Sequence, residues 1–256
     1  MLRGLYTSAS GMLAQMTRQA IVTNNINNAT TSGFKQELTS QGLFWRLLLD
    51  RVQRADLPVA GATAAATPIG PAITTAGAIR ATTDHAQGSL TDTGGELDLA
   101  LTGPGYFAVQ TPTGVQLTRD GAFTRDAQGR LVAADGALVL GVSGPLTLPD
   151  GPVAVAADGT LTVGDQAVGQ LQLLDAPPEQ LTRAGQNRFA LLAGAAPVPA
   201  TAAAVNQGFL ERSNVDVTRA VTDMMSAARA YEANQRLVQI QDELLGKAVN
   251  EVGRVG

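Results

Sequence analysis

Apolar positions follow two different rhythms along the chain. Near the start, Leu2, Leu5, Ala9, Met12 and Met16 alternate spacings of three and four, and Ile26 returns to the same stripe. This predicts a helix within residues 1–36, although the stripe lapses at Gln19 and Thr23. Near the end, Val217, Met224, Tyr231, Val238, Leu245 and Val252 recur every seven residues, with Ala220, Ala227 and Ala248 three positions on. That repeat predicts a coiled-coil seam within residues 208–256. Its alanines let a partner helix approach closely, and Asn234 and Gln241 on the seam exchange stability for register. Asn214, ahead of Val215-Asp-Val-Thr218, is the expected N-cap. From Val215 to Val252 such a helix would be roughly 55 Å long, too extended to bury its stripe alone.

Between the helices the rhythm shortens to two. Asp120-Gly121, Asp135-Gly136, Asp150-Gly151 and Asp158-Gly159 punctuate β-rich runs such as Tyr106-Phe-Ala-Val-Gln110, Leu138-Val-Leu-Gly-Val142 and Gly169-Gln-Leu-Gln-Leu-Leu174. Each Asp-Gly suits a tight hairpin, so residues 87–192 are expected to form a β-domain. Residues 37–86 and 193–207 hold aperiodic stretches rich in Ala, Thr, Gly and Pro, which read as linkers. The expected fold class is α+β: a coiled-coil stem made from the N- and C-terminal helices, with an inserted all-β, hairpin-rich domain.

Composition removes much chemistry from this picture. At 256 residues and 45% hydrophobic content the chain can build a core, which argues against a wholly disordered protein. It has no cysteine and one histidine, His85, which excludes disulfides, thiolate metal sites, cysteine nucleophiles and multi-histidine metal sites. Eighteen Lys and Arg against 22 Asp and Glu give a net charge of −4, so no strong field draws the chain to nucleic acid. No run of about 18 apolar residues occurs, so membrane insertion is not expected, and polar interruptions in Met1-Leu-Arg-Gly-Leu-Tyr-Thr-Ser-Ala-Ser10 leave no signal-peptide core. Aromatics at 4% and charged residues at 16% suit extended or repetitive packing better than a compact enzyme.

The candidate sites are weak as chemistry. Asp84-His85 with Ser89 holds the residue types of a hydrolase triad, but no nucleophile elbow surrounds the serine, and a solvated loop histidine is the expectation. Gly103-Pro-Gly105 lacks the third glycine of a dinucleotide loop, and Asp92-Thr-Gly-Gly-Glu-Leu-Asp98 lacks the alternation and closing glutamate of a calcium loop. Both read as turns. No catalytic residue, cofactor or metal is expected. Leu43-Phe-Trp-Arg-Leu-Leu-Leu-Asp50, with the only tryptophan, reads as buried core or subunit contact before it reads as a membrane-surface helix. Asn24-Asn-Ile-Asn-Asn28 is denser in amides than a helix end requires. It is either a fraying end closed by Gly33 as a left-handed cap, or a set of buried amides pairing between helices.

The pattern Asn24-Asn25-Ile26-Asn27-Asn28-Ala29-Thr30-Thr31-Ser32-Gly33-Phe34-Lys35 resembles the N-terminal signature of bacterial flagellar rod and hook proteins, with Asn27 in place of the usual alanine. Two further blocks resemble the family's central region, one running from Gly88 to Phe107 and one from Thr118-Arg-Asp-Gly-Ala-Phe123 through Asp126 and Gly129 to Leu131-Val132. A fourth, Gly208-Phe-Leu-Glu-Arg-Ser-Asn-Val-Asp-Val217 with Arg229-Ala-Tyr-Glu-Ala-Asn234, resembles its C-terminal helix. The resemblance implies a non-enzymatic basal-body rod subunit, proximal or distal, exported by the flagellar type III apparatus without a cleaved leader. It implies other copies of the chain and other rod or hook subunits as partners, with paired terminal helices forming a tube. The interface residues it implies are Asn24, Asn25, Asn28, Gly33 and Phe34, with Val217, Met224, Tyr231, Asn234, Val238 and Leu245. An extracellular β-rich binding module on a coiled-coil stalk, such as an adhesin or phage-tail fibre, is the alternative layout.

Overall fold

A computed structural model of the chain describes residues 2–41, 79–164 and 166–252. The apolar segment Leu43 to Asp50 and most of the stretch read as the first linker lie outside the described residues. Two helices, α1 (Leu2–Asn27) and α2 (Val217–Val252), bracket a β-rich body, so the class is α+β. The described residues divide into two compact units: one holds residues 2–24, 37–41, 79–82 and 218–252, the other residues 25–36, 83–164 and 166–217.

In the first unit the two helices run antiparallel. Thr23 Oγ1 lies 3.9 Å from Met224 Sδ and a Cβ at Gly11 would stand 3.1 Å from Asn234 Oδ1, so numbering falls along one helix as it rises along the other, and the long Arg18 side chain reaches Asp223 at 2.9 Å. A helical glycine costs about 1 kcal/mol in propensity, and here its lack of a side chain admits the Asn234 carboxamide. That carboxamide donates back to Ala230 O at 2.9 Å. On α2, Ala220, Met224, Ala227, Tyr231, Asn234, Val238, Gln241 and Leu245 are among the less exposed positions, with Asp223, Ala228 and Ala230 beside them, and the alternating spacings of four and three in the first set match the expected seam. Val217 departs from it and is 46% exposed. The stripe on α1 is also shifted: Met16 is 52% exposed and Val22 is buried instead. An interrupted stripe could not fix which face turns inward. Strands Glu37–Gln41 and Ile79–Thr83 pair with each other in the same unit.

The second unit is built on an antiparallel sheet whose centre is the strand Tyr106–Thr111, paired with Gly114–Thr118 on one side and Leu138–Gly141 on the other. Alternation along this strand fills two cores. Phe107 and Val109 join Leu99, Leu101, Leu131, Val139 and Leu161, while Tyr106 and Ala108 join Leu117, Leu140, Leu174 and Phe189. Both faces are covered, so this strand reads as a continuous apolar run.

Two of the Asp-Gly pairs behave as expected. Asp135-Gly136 turns between strands Leu131–Ala133 and Leu138–Gly141, and Asp158-Gly159 between Val153–Val155 and Thr160–Val163. Asp150-Gly151 lies outside any hairpin. Asp120-Gly121 is a close crossing: a Cβ at Gly121 would come within 1.6 Å of Leu99 O. The run from Gly169 to Leu174 is divided between strands Gln166–Gln170 and Leu173–Asp175, and Val142, past the end of its strand, is 66% exposed.

Beyond residue 192 the chain continues to pair. Ala204–Gln207 lies against Leu99–Thr102, and Phe209–Glu211 against Leu90–Asp92. The Ala- and Pro-rich stretch expected to be a linker therefore helps close the body, and the segments that enter and leave it are neighbours. Helix α2 begins at Val217, so Asn214 precedes the capping position and does other work.

Phe107→Ala should destabilise the body by about 3–5 kcal/mol, because its fully buried ring stands 5.1 Å from that of Phe123, whereas Val142→Ser should stay within about 0.5 kcal/mol. Urea midpoints of the two variants test the assignment of inside and outside.

Candidate functional site

Among the described residues few charged side chains are buried, and Lys35, Arg119 and Glu211 converge. The Glu211 side chain is fully buried at the end of strand Phe209–Glu211. Its Oε1 accepts from Lys35 Nζ at 2.5 Å and from Gly88 N at 2.8 Å, and its Oε2 accepts from Arg119 at 3.2 Å. Lys35 also donates to Ala86 O at 2.7 Å, and Arg119 to Gly103 O at 2.6 Å. The carboxylate thus meets two cations, each of which also donates to a backbone carbonyl, and these bonds offset part of the cost of burying the charges. Burial still holds the Lys35 ammonium below the usual lysine range, against the opposing pull of Glu211.

The backbone reinforces this knot. Gly33 N donates to Glu211 O at 2.7 Å, and Gly33 has φ +62° with no room for a Cβ, which would meet Arg119 C at 2.3 Å. Gly33 lies beyond the end of α1 and is a point of backbone contact, not the cap of that helix. Asn214 fastens the other side: its Oδ1 accepts from Gln36 N at 2.7 Å, and its Nδ2 donates to Asp84 O at 3.0 Å and Ala86 O at 3.2 Å. Ser32 donates to Asp120 at 2.5 Å, and Asn187 to Ser32 O at 2.7 Å. Burial pushes the Asp120 carboxyl up, and the bonds from Ser32 and Ala122 offset part of that rise.

Aromatic rings line one side. The Arg183 guanidinium lies 4.7 Å from the Phe34 ring centre and also donates to Lys35 O. The Arg119 guanidinium lies 5.2 Å from that of Tyr106. His85 is half-buried, with Nδ1 at 2.7 Å from the Tyr106 hydroxyl and its ring 5.1 Å from Phe189. The expected solvated loop histidine is therefore a packing residue. Ser89 is exposed and its carbonyl accepts from Arg212 N, so it forms no triad with His85. In the stretch from Asp92 to Asp98, Asp98 accepts from Thr93 at 2.6 Å and Asp92 from Gly94 N at 3.1 Å, the bonds of the expected turn.

Each of the expected interface residues has a definite place. Gly33 and Phe34 are buried within the body, where they join the knot. Asn25 is buried, Asn28 half-buried and Asn24 exposed. The seam residues Met224, Tyr231, Asn234, Val238 and Leu245 are half-buried on α2, and Val217 is exposed. Pattern reading passed over Lys35, Arg119 and Glu211 as a cluster, because a lone charge in a β-rich sequence announces nothing, and it read Asn214 as a helix cap. The available signal was their presence in the four signature blocks, and the knot is where those blocks meet.

Similarity to known proteins follows the same divisions. Residues 5–35 match the family model of flagella basal body rod proteins, residues 100–163 that of the flagellar hook protein FlgE/F/G D1 domain, and residues 206–251 that of the flagellar basal body rod FlgEFG protein C-terminal region. Over whole chains the sequence is 34% identical to the flagellar basal-body rod protein FlgF of Caulobacter vibrioides, covering 98% of each. It is 33% identical to the flagellar basal-body rod protein FlgG of Bacillus subtilis, covering 98% of this chain and 99% of that one. It is 31% identical to the flagellar hook-basal body complex protein FlhO of the same species, over the full length of both.

Glu211→Ala would strand Lys35 and Arg119 as buried cations and should cost about 3–5 kcal/mol. Arg130→Ala, which removes the partly exposed pair with Asp126, should cost about 1 kcal/mol. Equal shifts in the denaturant midpoints of the two variants would contradict the importance given to the knot.

Proposed function

This chain belongs to the family of flagellar basal-body rod and hook proteins and has a structural role in the rod of the bacterial flagellum, and from that membership we propose that it polymerises through its terminal helices. The supporting observation is the outer surface of α2. With its inner positions turned toward α1, the helix still exposes Val221, Met225, Leu237, Ile240 and Leu244, each 39% to 52% accessible. Large apolar side chains repeated along one helix are a surface that water does not favour and that packing against another copy would cover. In this reading α1 and α2 form a coiled-coil stem, and rows of such stems make the wall of the drive shaft. The subunit is a proximal-rod or distal-rod member, is not an enzyme, and is delivered by the flagellar type III export apparatus.

The inward seam holds each stem together through Met224, Tyr231, Asn234, Val238 and Leu245, whereas the outward residues hold one stem to the next. Asn24 and Asn28 stand on the accessible side of the α1 terminus as polar contacts between stems, while Asn25 serves inside its own subunit. Two aspartate substitutions separate these roles. Ile240→Asp should leave the melting of the isolated chain within about 0.5 kcal/mol of the parent, yet block incorporation into basal bodies. Met224→Asp should loosen the helix pair itself, costing several kcal/mol if the carboxylate stays charged. Secreted and basal-body-bound protein are measured in cells producing each variant. Normal incorporation of Ile240→Asp would sink the assignment of the outer surface, and a stable soluble trimer of the parent chain would favour the stalk reading instead.

A further inference from the structure

We propose that His85 is an acid-sensitive latch: as a neutral imidazole it clamps residues 84–88 to the sheet through Tyr106 and Phe189, and on taking up a proton it lets them go. The latch belongs to the β-rich unit and does not depend on what the chain assembles into.

The Tyr106 hydroxyl stands 2.7 Å from His85 Nδ1. Burial pushes that hydroxyl up to about 12, so at neutral pH it keeps its hydrogen and is able to donate it to the ring. In the latched form Nδ1 is the bare nitrogen that accepts it, and the ring carries its own hydrogen on Nε2. Protonation would place a second donor opposite the first, and the Tyr106 hydroxyl could accept from it only by turning its own hydrogen away. The ring is also held by the aromatic faces around it, 5.1 Å from Phe189 and edge-on to Tyr106 at 6.1 Å.

Charge opposes the protonated form as well. Lys35 faces the ring from the segment after α1, Arg183 from strand Leu181–Gly185, and Arg119 from the turn after Gly114–Thr118. The facing carboxylate is Asp84 on the same segment, already bonded to Gln36 at 3.0 Å and to Ala86 N at 3.0 Å. Glu211, from strand Phe209–Glu211, is committed to Lys35 and Arg119. An imidazolium would be one more cation among three, and the opposing pull of Asp84 is smaller than the push of Lys35 or Arg183. Burial first, and then Lys35 and Arg183, hold His85 below the ordinary histidine range.

The direction of the effect follows by linkage. The unfolded chain binds its proton at about 6.5, before the folded chain does, so stability rises with pH between the two values. The contribution of the latch is complete above the unfolded value and is lost as pH falls through the folded one. The same segment supplies Ala86 O to Lys35 and Gly88 N to Glu211, so its release would admit water to the buried ion pairs.

His85 is the only histidine in the chain, so its ring hydrogens give one titrating signal in the NMR spectrum of the full-length protein. That signal should titrate below the ordinary range. Amide exchange at Ala86 and Gly88 should quicken over the same interval, and the thermal midpoint should fall by several degrees between about pH 7.5 and 5. His85→Gln should lose that fall. Tyr106→Phe, which removes the donor, should move the titration of His85 upward, a shift that a merely structural role for Tyr106 would not produce. If His85→Gln fails to fold, the titrations of the parent and of Tyr106→Phe decide. An ordinary titration midpoint unmoved in Tyr106→Phe, or equal acid sensitivity of the parent and His85→Gln, would overturn the proposal.

Discussion

The Glu211 carboxylate, shut away from water between Lys35 and Arg119, is the contact on which the body of this protein depends. Isolated buried charge is expensive, and attraction alone repays the cost only when every remaining donor and acceptor is matched. Here the matching groups come from distant parts of the chain: Gly88 N for the carboxylate, Ala86 O for the ammonium and Gly103 O for the guanidinium. Misplacing any of these segments leaves a charge unpaired, so the knot penalises alternative packings that an apolar contact would tolerate. It also explains why Gly33 and Gly88 have no side chains, since a Cβ at either would strike backbone at 2.3 Å or 1.9 Å.

The knot lies at the place where the chain changes character. Residues 25–36 follow the main length of α1 and residues 209–217 precede that of α2, and both stretches belong to the β-rich unit. Strands Ala204–Gln207 and Phe209–Glu211 bring the end of this unit back beside its beginning, and Asn214 stitches Gln36 to residues 84–86. A body closed in this way is self-contained. The helices are different, because their pairing leaves large apolar side chains exposed on α2. Buried polar contacts thus order the body, whereas α2 keeps apolar surface exposed.

Some of this was legible from local pattern. The heptad on α2 identified its inner positions, because a helix repeats its faces every few residues and the sequence shows that repeat directly. Asp135-Gly136 and Asp158-Gly159 announced their hairpins for an equally local reason, the backbone angles that a two-residue turn requires. The pattern failed where the reason was not local. Asp120-Gly121 has the composition of a turn, yet its glycine is needed for a crossing with Leu99. Asn214 has the composition of a helix cap, yet its amide is consumed by Gln36, Asp84 and Ala86. On α1 the sparse stripe pointed to Met16, while the folded chain buries Val22 instead.

The sequence by itself determined the two helices, the β-rich middle, the absence of cysteine chemistry and the four blocks that mark the family. Those properties depend on residue type and on spacing over a few positions. Only the tertiary structure decided that Lys35 and Glu211, separated by 176 residues, form one ion pair, and that the single histidine is wedged between Tyr106 and Phe189. The physical reason is that a charge or an imidazole takes its meaning from dielectric and partners. Both are set by whichever distant segments fold over it, and no local period encodes them.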